Sequence, residues 1–397
     1  MPFRYSLCRT LVAVGVLTAC RGETVSRHRV EIPEPLVGSM VEAPHSYTRI
    51  SSVHELPDGR VLVLDYLDRS LFALDLVQGT RIAVSRTGQG PGEYESPKVL
   101  HPFRGDSIVL IDDARFNSVM LLSPQGTPIG LRRTGHEELN KRFDAWRTAS
   151  DSSGFLYAWV ALGDTADGAF ALRLDSADIE RIDLQTRQLD TIARISREQT
   201  APGMTAAAGA APTTDQPFRR QNIPFVVADH WTVLPDGTFA LVSVIPYRVT
   251  FEAPSGERTV GPELPFTPIP VSSRHKETWR ERDMGLKRVL IFTTGAVVAE
   301  NRQAPLGEPD TWPPYLPPFI DDGVTAAPDG TVWIQRTTEA DSAPVVDVIA
   351  RDGTLRHRLR LPLDTRFIAA SHRYIYLVRI DADDLEYVQR WPRPTDH

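Results

Sequence analysis

The residues of this 397-residue chain that could do chemistry are acids with arginines beside them, and one glycine-rich turn. Asp68 and Arg69 sit in DYLDRS, Glu93 in RTGQGPGEY, and Asp112, Arg115 and Asn117 in DDARFNS. An arginine of this kind can grip a bound carboxylate or phosphate through paired N–H groups. It can equally bridge the acid next to it, an exposed ion pair worth about 0–1 kcal/mol. GQGPGEY invites a phosphate-loop reading, but the Gly-Lys-Ser/Thr ending is missing and a strand follows where a helix is needed. Its glycines are therefore assigned to backbone geometry, and Glu93 either caps the turn or offers a ligand group. Nucleophile elbows, HExxH helices, Cys/His metal spacings and EF-hand loops are absent. HEELN from His136 ends in asparagine where a zinc helix needs histidine. Spacing thus predicts no catalytic group, no metal and no cofactor.

What positions these residues is a repeat. An Asp/Gly turn followed by a β-rich strand recurs as LPDGRVLVLD from Leu56, RGDSIVLIDD from Arg104 and DSSGFLYAWV from Asp151. It returns as LPDGTFALVS from Leu234, APDGTVWIQR from Ala327 and, more weakly, SHRYIYLVRI from Ser371. Asp-Gly between extended runs signals a tight hairpin, with positive φ expected at both central residues. A further strand, and commonly a second glycine turn, follows each phrase, as in SLFALDLVQGTRIAV from Ser70. Each unit reads as a four-stranded antiparallel meander, the blade of a β-propeller, and six units make an all-β six-bladed ring. The sixth lacks a fourth strand after Leu385–Trp391. Arg27–Ile32 (RHRVEI) is the spare strand expected to close it and so remove an exposed edge.

The phrase Asp65–Phe72 resembles the Asp…Asn-Arg-Ile…Phe phrase of NHL-type propeller repeats, and Asp112–Val119 is a looser copy. Arg86–Tyr94 is similar to the Gly-x-Gly-Pro-Gly-Glu-Tyr/Phe turn of bacterial six-bladed propeller lipoproteins. The resemblance covers most of the chain and implies architecture and address rather than a reaction. Gluconolactonase-like hydrolases and strictosidine-synthase-like proteins share such folds, the former with a channel metal. Their ligand set has no residue-by-residue counterpart here.

In a meander the Asp/Gly turns lie on one face of the disc. The loops joining second to third strands, and one blade to the next, lie on the other, which we call the loop face. The loop face should collect Asp68, Arg69, Glu93, Asp112, Asp113, Arg115, Asn117, Arg336, Arg379 and Asp381, either as a polar ligand site or as a solvated rim. His54 and His230 fall on first strands, which line the channel, but in different registers, and a structural or solvated role is expected for both. Insertions interrupt the repeat at about 196–225 and 262–318. Ser273–Ile291 is expected to hold a helix, and the Pro-rich run around Trp312 and Tyr315 a stiff cap over the junction of blades 4 and 5.

Ahead of the repeats, Arg4 and Arg9 precede the apolar run Leu11–Leu17, then Leu17-Thr18-Ala19-Cys20. This describes a secretory leader, and the last four residues resemble the lipobox of bacterial lipoproteins. The resemblance implies acylation of Cys20 and an anchor in the cell envelope; Arg21 favours the outer membrane. Residues 21–46 would be tether and closing strand, 47–391 the propeller and 392–397 a tail. The leader contains two basic residues and no acid, so the remaining chain has 42 basic residues against 51 acidic ones. That balance argues against a nucleic-acid surface. The expected partners are a membrane, through Cys20, and a protein or small-molecule ligand. Two functions stay open: a binding or scaffold lipoprotein, and a channel-metal hydrolase or lyase.

Overall fold

A computed structural model describes residues 32–112, 118–135, 143–164, 171–196, 224–225, 229–283, 292–293, 296–297, 309 and 311–394. Cys20, Asp113, Arg115 and Asn117 lie outside these residues. Six antiparallel sheets of four strands follow one another, each starting at the channel and ending at the rim. Blade 1 comprises Ile50–Glu55, Val61–Asp65, Ser70–Asp75 and Thr80–Ala83. Blade 2 comprises Pro97–Pro102, Ile108–Asp112, Ser118–Leu122 and Pro128–Arg133. Blade 3 comprises Phe143–Ser150, Phe155–Asp164, Ala171–Asp183 and Leu189–Ser196. Blade 4 comprises His230–Val233, Phe239–Ser243, Arg248–Glu252 and Arg258–Val260. Blade 5 comprises Phe319–Ala326, Val332–Arg336, Val345–Ile349 and Leu355–Arg360. Blade 6 comprises Thr365–Ala370, Tyr374–Ile380 and Glu386–Pro392, with Val41–Tyr47 as its fourth strand. Each first strand touches the next around the ring, blade 6 returning to blade 1. The chain is a six-bladed β-propeller.

The core is divided into six wedges, one between each pair of neighbouring blades. Second strands have both faces covered, so Val61–Asp65 and Ile108–Asp112 are buried at every position and read as continuous apolar runs rather than alternating ones. Outermost strands face water, and all four residues of Thr80–Ala83 are exposed. Between blades 5 and 6 the Trp333 and Phe367 rings stack with centroids 5.0 Å apart.

Two expectations need correction. The segment that completes blade 6 is Val41–Tyr47, not Arg27–Ile32. Ile32 lies outside any strand and is 82% exposed, while residues 27–31 lie outside the described set. The reason is reach and packing. Tyr47 is three residues from Ile50, where blade 1 begins, and Ala43 and Tyr47 enter the wedge between blades 6 and 1. Upstream, Glu34–Pro35 adds a short parallel fifth strand to blade 5.

The turns differ too. At Leu56–Gly59 only Gly59 has positive φ (87°), and the Gly59 N–H bonds the Leu56 carbonyl. Proline at position 57 locks φ near −65°, which excludes a turn needing two positive values and selects a type I turn followed by a left-handed glycine. Leu234–Gly237 and Ala327–Gly330 repeat this arrangement. Only RGDS, which lacks the proline, has two consecutive positive φ values, Gly105 at 63° and Asp106 at 59°.

The second insertion does contain a helix, Ser273–Asp283. The Ser272 hydroxyl accepts the His275 N–H while the Ser272 N–H donates to His275 Nδ1, a reciprocal cap. Trp279 meets Trp312 edge-on at 5.5 Å, Phe225 meets it at 5.9 Å, and Leu316 N–H bonds the Ile269 carbonyl.

Closure gives the first prediction. A chain beginning after Ile32 should keep the melting temperature of one beginning after Cys20. A chain beginning after Tyr47 should expose the edge of Glu386–Pro392 and aggregate on purification. Size-exclusion profiles and thermal melts of the two truncations decide this.

Candidate functional site

Most loop-face acids are tied to backbone. Asp65 ends the second strand of blade 1 and accepts N–H groups of Thr48 (2.6 Å), Arg49 (3.1 Å), Leu67 (3.2 Å) and Asp68 (3.2 Å). Asp112 occupies the same place in blade 2 and accepts those of Glu95 (2.7 Å) and Ser96 (2.8 Å). Glu386 is fully buried and takes the Ile50 N–H (2.6 Å) together with Arg49 (3.1 Å) and Arg366 (2.8 Å). These acids fasten the strand that crosses from one blade to the next. Burial pushes the Asp65 carboxyl above the usual carboxylate range, against the pull of those N–H groups.

The remaining predicted residues separate. Asp68 is exposed and accepts the Thr48 hydroxyl at 2.8 Å. Arg69 is exposed with φ at 50°, and its carbonyl accepts the Thr87 hydroxyl. Glu93 is the turn cap: its carboxylate takes the Gly90 N–H at 2.8 Å and Arg86 Nε at 2.5 Å. A Cβ at position 88 would sit 2.1 Å from that carboxylate, so a larger residue there would displace the Glu93 side chain from its cap. Tyr94, next to it, is buried between blades 1 and 2, and its hydroxyl accepts the Leu71 N–H. Arg336 is sequestered with Arg358 around the buried Asp347, and both arginines also donate to the Pro265 carbonyl. Arg379 grips Glu42 of the closing strand through two bonds of 2.8 Å. Asp381 caps its own turn through the Asp383 and Leu385 N–H groups.

A different group converges at the channel. One ring nitrogen of His230 and one oxygen each of Asp321 and Asp322 lie within 4.8 Å of one another. Arg147, on the first strand of blade 3, reaches past blade 4 to hold Asp321, with Nη2 3.0 Å from Oδ1 and 3.3 Å from Oδ2. The level of the group follows from register. His230 pairs with Val242, beside the loop joining the second and third strands, so it lies toward the loop face. Asp321 and Asp322 occupy a bulge between Phe319 and Val324, and Asp322 has φ at 59°. The bulge turns two successive carboxylates toward one histidine, which a regular strand would send to opposite sides.

The histidine is prepared electrostatically. Burial, helped by the Arg147 charge and opposed by Asp321, lowers the His230 pKa to about 4, so the ring is neutral near pH 7. Its Nδ1 accepts the Trp231 N–H at 2.9 Å and lies 3.1 Å from the Trp231 carbonyl oxygen. His54 and His101 belong to another level. They pair with Leu62 and Val109, toward the Asp/Gly-turn face, and burial lowers each to about 4. His101 Nε2 bonds the Thr148 hydroxyl at 2.7 Å.

Sequence reading missed the channel group because its members stand on three blades and share no local spacing. One signal was present. Arg147 and His230 each precede a turn glycine, Gly154 and Gly237, by the same interval, and Gly323, next to Asp322, precedes Gly330 likewise. Aligning the blades on their turn glycines would have stacked these positions.

No protein-family model and no curated protein matches the chain. Similar solved structures include a putative exported protein of Bacteroides fragilis, at 10% identity and TM-score 0.50, covering 91% of this chain and 96% of that one. A putative gluconolactonase matches at 12% identity and TM-score 0.46, covering 91% and 97%. A calcium-binding protein, regucalcin, from Agrobacterium tumefaciens matches at 12% and 0.45, covering 90% and 96%. The first of these, at TM-score 0.50, speaks for the fold alone.

The crossing ties give the second prediction. Asp112→Ala leaves two backbone N–H groups without their acceptor and should cost about 2–4 kcal/mol of stability. Urea unfolding of wild type and variant measures the loss.

Proposed function

We propose that this chain is an exported, lipid-anchored propeller that binds a small polar ligand at the loop-face end of its channel. A divalent cation on His230, Asp321 and Asp322 is the centre of that site. The observation that carries the reading is the convergence of these three ligand atoms within 4.8 Å on the first strands of blades 4 and 5. A first-row cation at about 2.0–2.2 Å from each donor needs donors roughly 3–3.5 Å apart, so the group has only to close slightly. One imidazole and two carboxylates suit manganese or zinc. Three protein ligands would leave coordination positions open to a ligand. The bulge supports that closure, because Asp321 and Asp322 are exposed rather than locked in the core. Asp68 and Arg69, exposed on the same face, are candidates for its outer rim.

The same convergence favours a second reading, a channel-metal hydrolase or lyase. A cation held there with open positions would supply Lewis acidity toward a bound carbonyl or water. For the address, the support is the Leu17-Thr18-Ala19-Cys20 sequence with its basic and apolar flank, and Arg21 favours the outer membrane.

Two experiments test these statements. Residues 21–397, stripped of metal, should bind one Mn2+ or Zn2+ per chain in calorimetry, and His230→Ala or Asp321→Asn should weaken binding by about tenfold or more. Absence of binding, or equal affinity in the variants, overturns the cation site. In cells, Cys20→Ser should move the protein from the membrane to the soluble fraction. Finding unmodified Cys20 by intact mass in membrane-extracted wild type removes the anchor.

A further inference from the structure

His230–Val233 is the shortest of the six first strands, and His230 is its terminal residue. Strand ends of this kind fray, so a ligand group placed there needs a hold outside the ladder. Among the described residues the ladder between the first two strands of blade 4 ends at the pair His230 and Val242. One step further on, the Asp229 carboxylate does the work of a ladder carbonyl: its Oδ1 accepts the Val244 N–H at 2.8 Å. Blades 1 and 2 make this tie from the other side, with Asp65 and Asp112 at the end of the second strand. In blade 4 that place, six residues past the turn glycine, is held by Ser243, and the acid stands instead directly before His230.

The far end of the tie matters as much. Val244 is buried in the wedge between blades 4 and 5, in one cluster with Phe319 and Val324, the two ends of the bulge that carries Asp321 and Asp322. Asp229 therefore fastens His230 to the frame that holds the two carboxylates. On the other side of His230, Trp231 stacks on Phe239 at 5.9 Å and donates its N–H to Nδ1. Resting on the cation site proposed above, we infer that Asp229 is its positioning residue: the bond to Val244, and not the carboxylate charge, keeps the His230 imidazole within reach of Asp321 and Asp322.

Three variants of residues 21–397, stripped of metal and titrated with Mn2+, separate the bond from the charge. Asp229→Asn keeps an amide oxygen for the Val244 N–H and should bind Mn2+ as tightly as wild type. Asp229→Ala removes the acceptor, and Asp229→Glu keeps the charge but moves it one methylene on; each should weaken Mn2+ by about tenfold, as loss of a group that orients a ligand does. On Mn2+-loaded protein, pulsed electron paramagnetic resonance reads the 14N coupling of a coordinated imidazole, which loss of stability alone does not move. That coupling should be present in wild type and Asp229→Asn and reduced in the other two. Should Asp229→Ala fail to fold, Asp229→Asn and Asp229→Glu decide. Wild-type affinity and coupling in Asp229→Ala or Asp229→Glu, or a weakened Asp229→Asn, overturns the inference while sparing the cation site. Wild type that binds no Mn2+, or binds it without a coordinated nitrogen, overturns the cation site and this inference with it.

Discussion

The constraint on which the rest depends is that six sheets must form a closed ring, since no sheet can bury its faces alone. Each blade offers two apolar faces and obtains cover only from its neighbours, so all six wedges stand or fall together. Closure is made by Val41–Tyr47 lying against Glu386–Pro392, and it is reinforced at several levels. Glu42 holds Arg379 and Gln389, Ala43 and Tyr47 fill the wedge, and Glu386 holds the Ile50 N–H of blade 1. The acid that fastens one blade to the next at Asp65 and Asp112 reappears as Glu386 at the seam. Closure therefore uses the same acid-to-backbone bonding that Asp112 uses between blades 1 and 2, with the closing strand supplied by the opposite end of the chain.

Much of the fold was legible because a blade is a local object. The LPDG and APDG phrases, the buried second strands and the six units follow from patterns a few residues long. What failed was non-local. RHRVEI has the look of a strand, but which segment closes the ring depends on the distance left to Ile50 and on the fit of Ala43 and Tyr47, neither visible in a period. The turn type failed for a local reason: Pro57, Pro235 and Pro328 exclude the double left-handed turn that Asp-Gly suggests. For the site, residue type alone misleads. Asp112 and Glu93 look like ligand groups in a string of letters, yet each is bonded to backbone, because an acid ending a strand near unpaired N–H groups is taken up by them.

The insertion around the helix Ser273–Asp283 shows the same economy of polar groups. Arg336 and Arg358 flank Asp347, which is fully buried, and both also bond the Pro265 carbonyl where the insertion leaves blade 4. Burial lowers the Arg336 pKa, and the adjacent Asp347 charge limits the effect. Tyr247 completes the group through its hydroxyl, whose pKa burial and Asp347 raise well above the ordinary value. Buried charge of this kind is retained when partners and geometry satisfy it, and here it fixes the path of Pro265 and Phe266 between blades 4 and 5. The blade 5 strand carrying Asp321 and Asp322 is thereby held from its outer side.

That rigidity bears on why the channel acids stand on a bulge. A regular first strand alternates its side chains, so two successive carboxylates would point one into the channel and one into a wedge, where an unpaired charge is costly. Asp322 at φ 59°, in the irregular stretch between Phe319 and Val324, breaks the alternation. A left-handed residue other than glycine is disfavoured, aspartate less so than most, and it persists where surrounding structure determines it. The wedge against blade 4 anchors Phe319 and Val324 at either end of the bulge, and Arg147 draws Asp321 toward blade 3. A simple structural ion pair would need only one of these two acids. Holding a second carboxylate beside the His230 imidazole, through an unfavourable backbone state, brings three ligand atoms within 4.8 Å of one another, the spacing on which the proposed cation site rests.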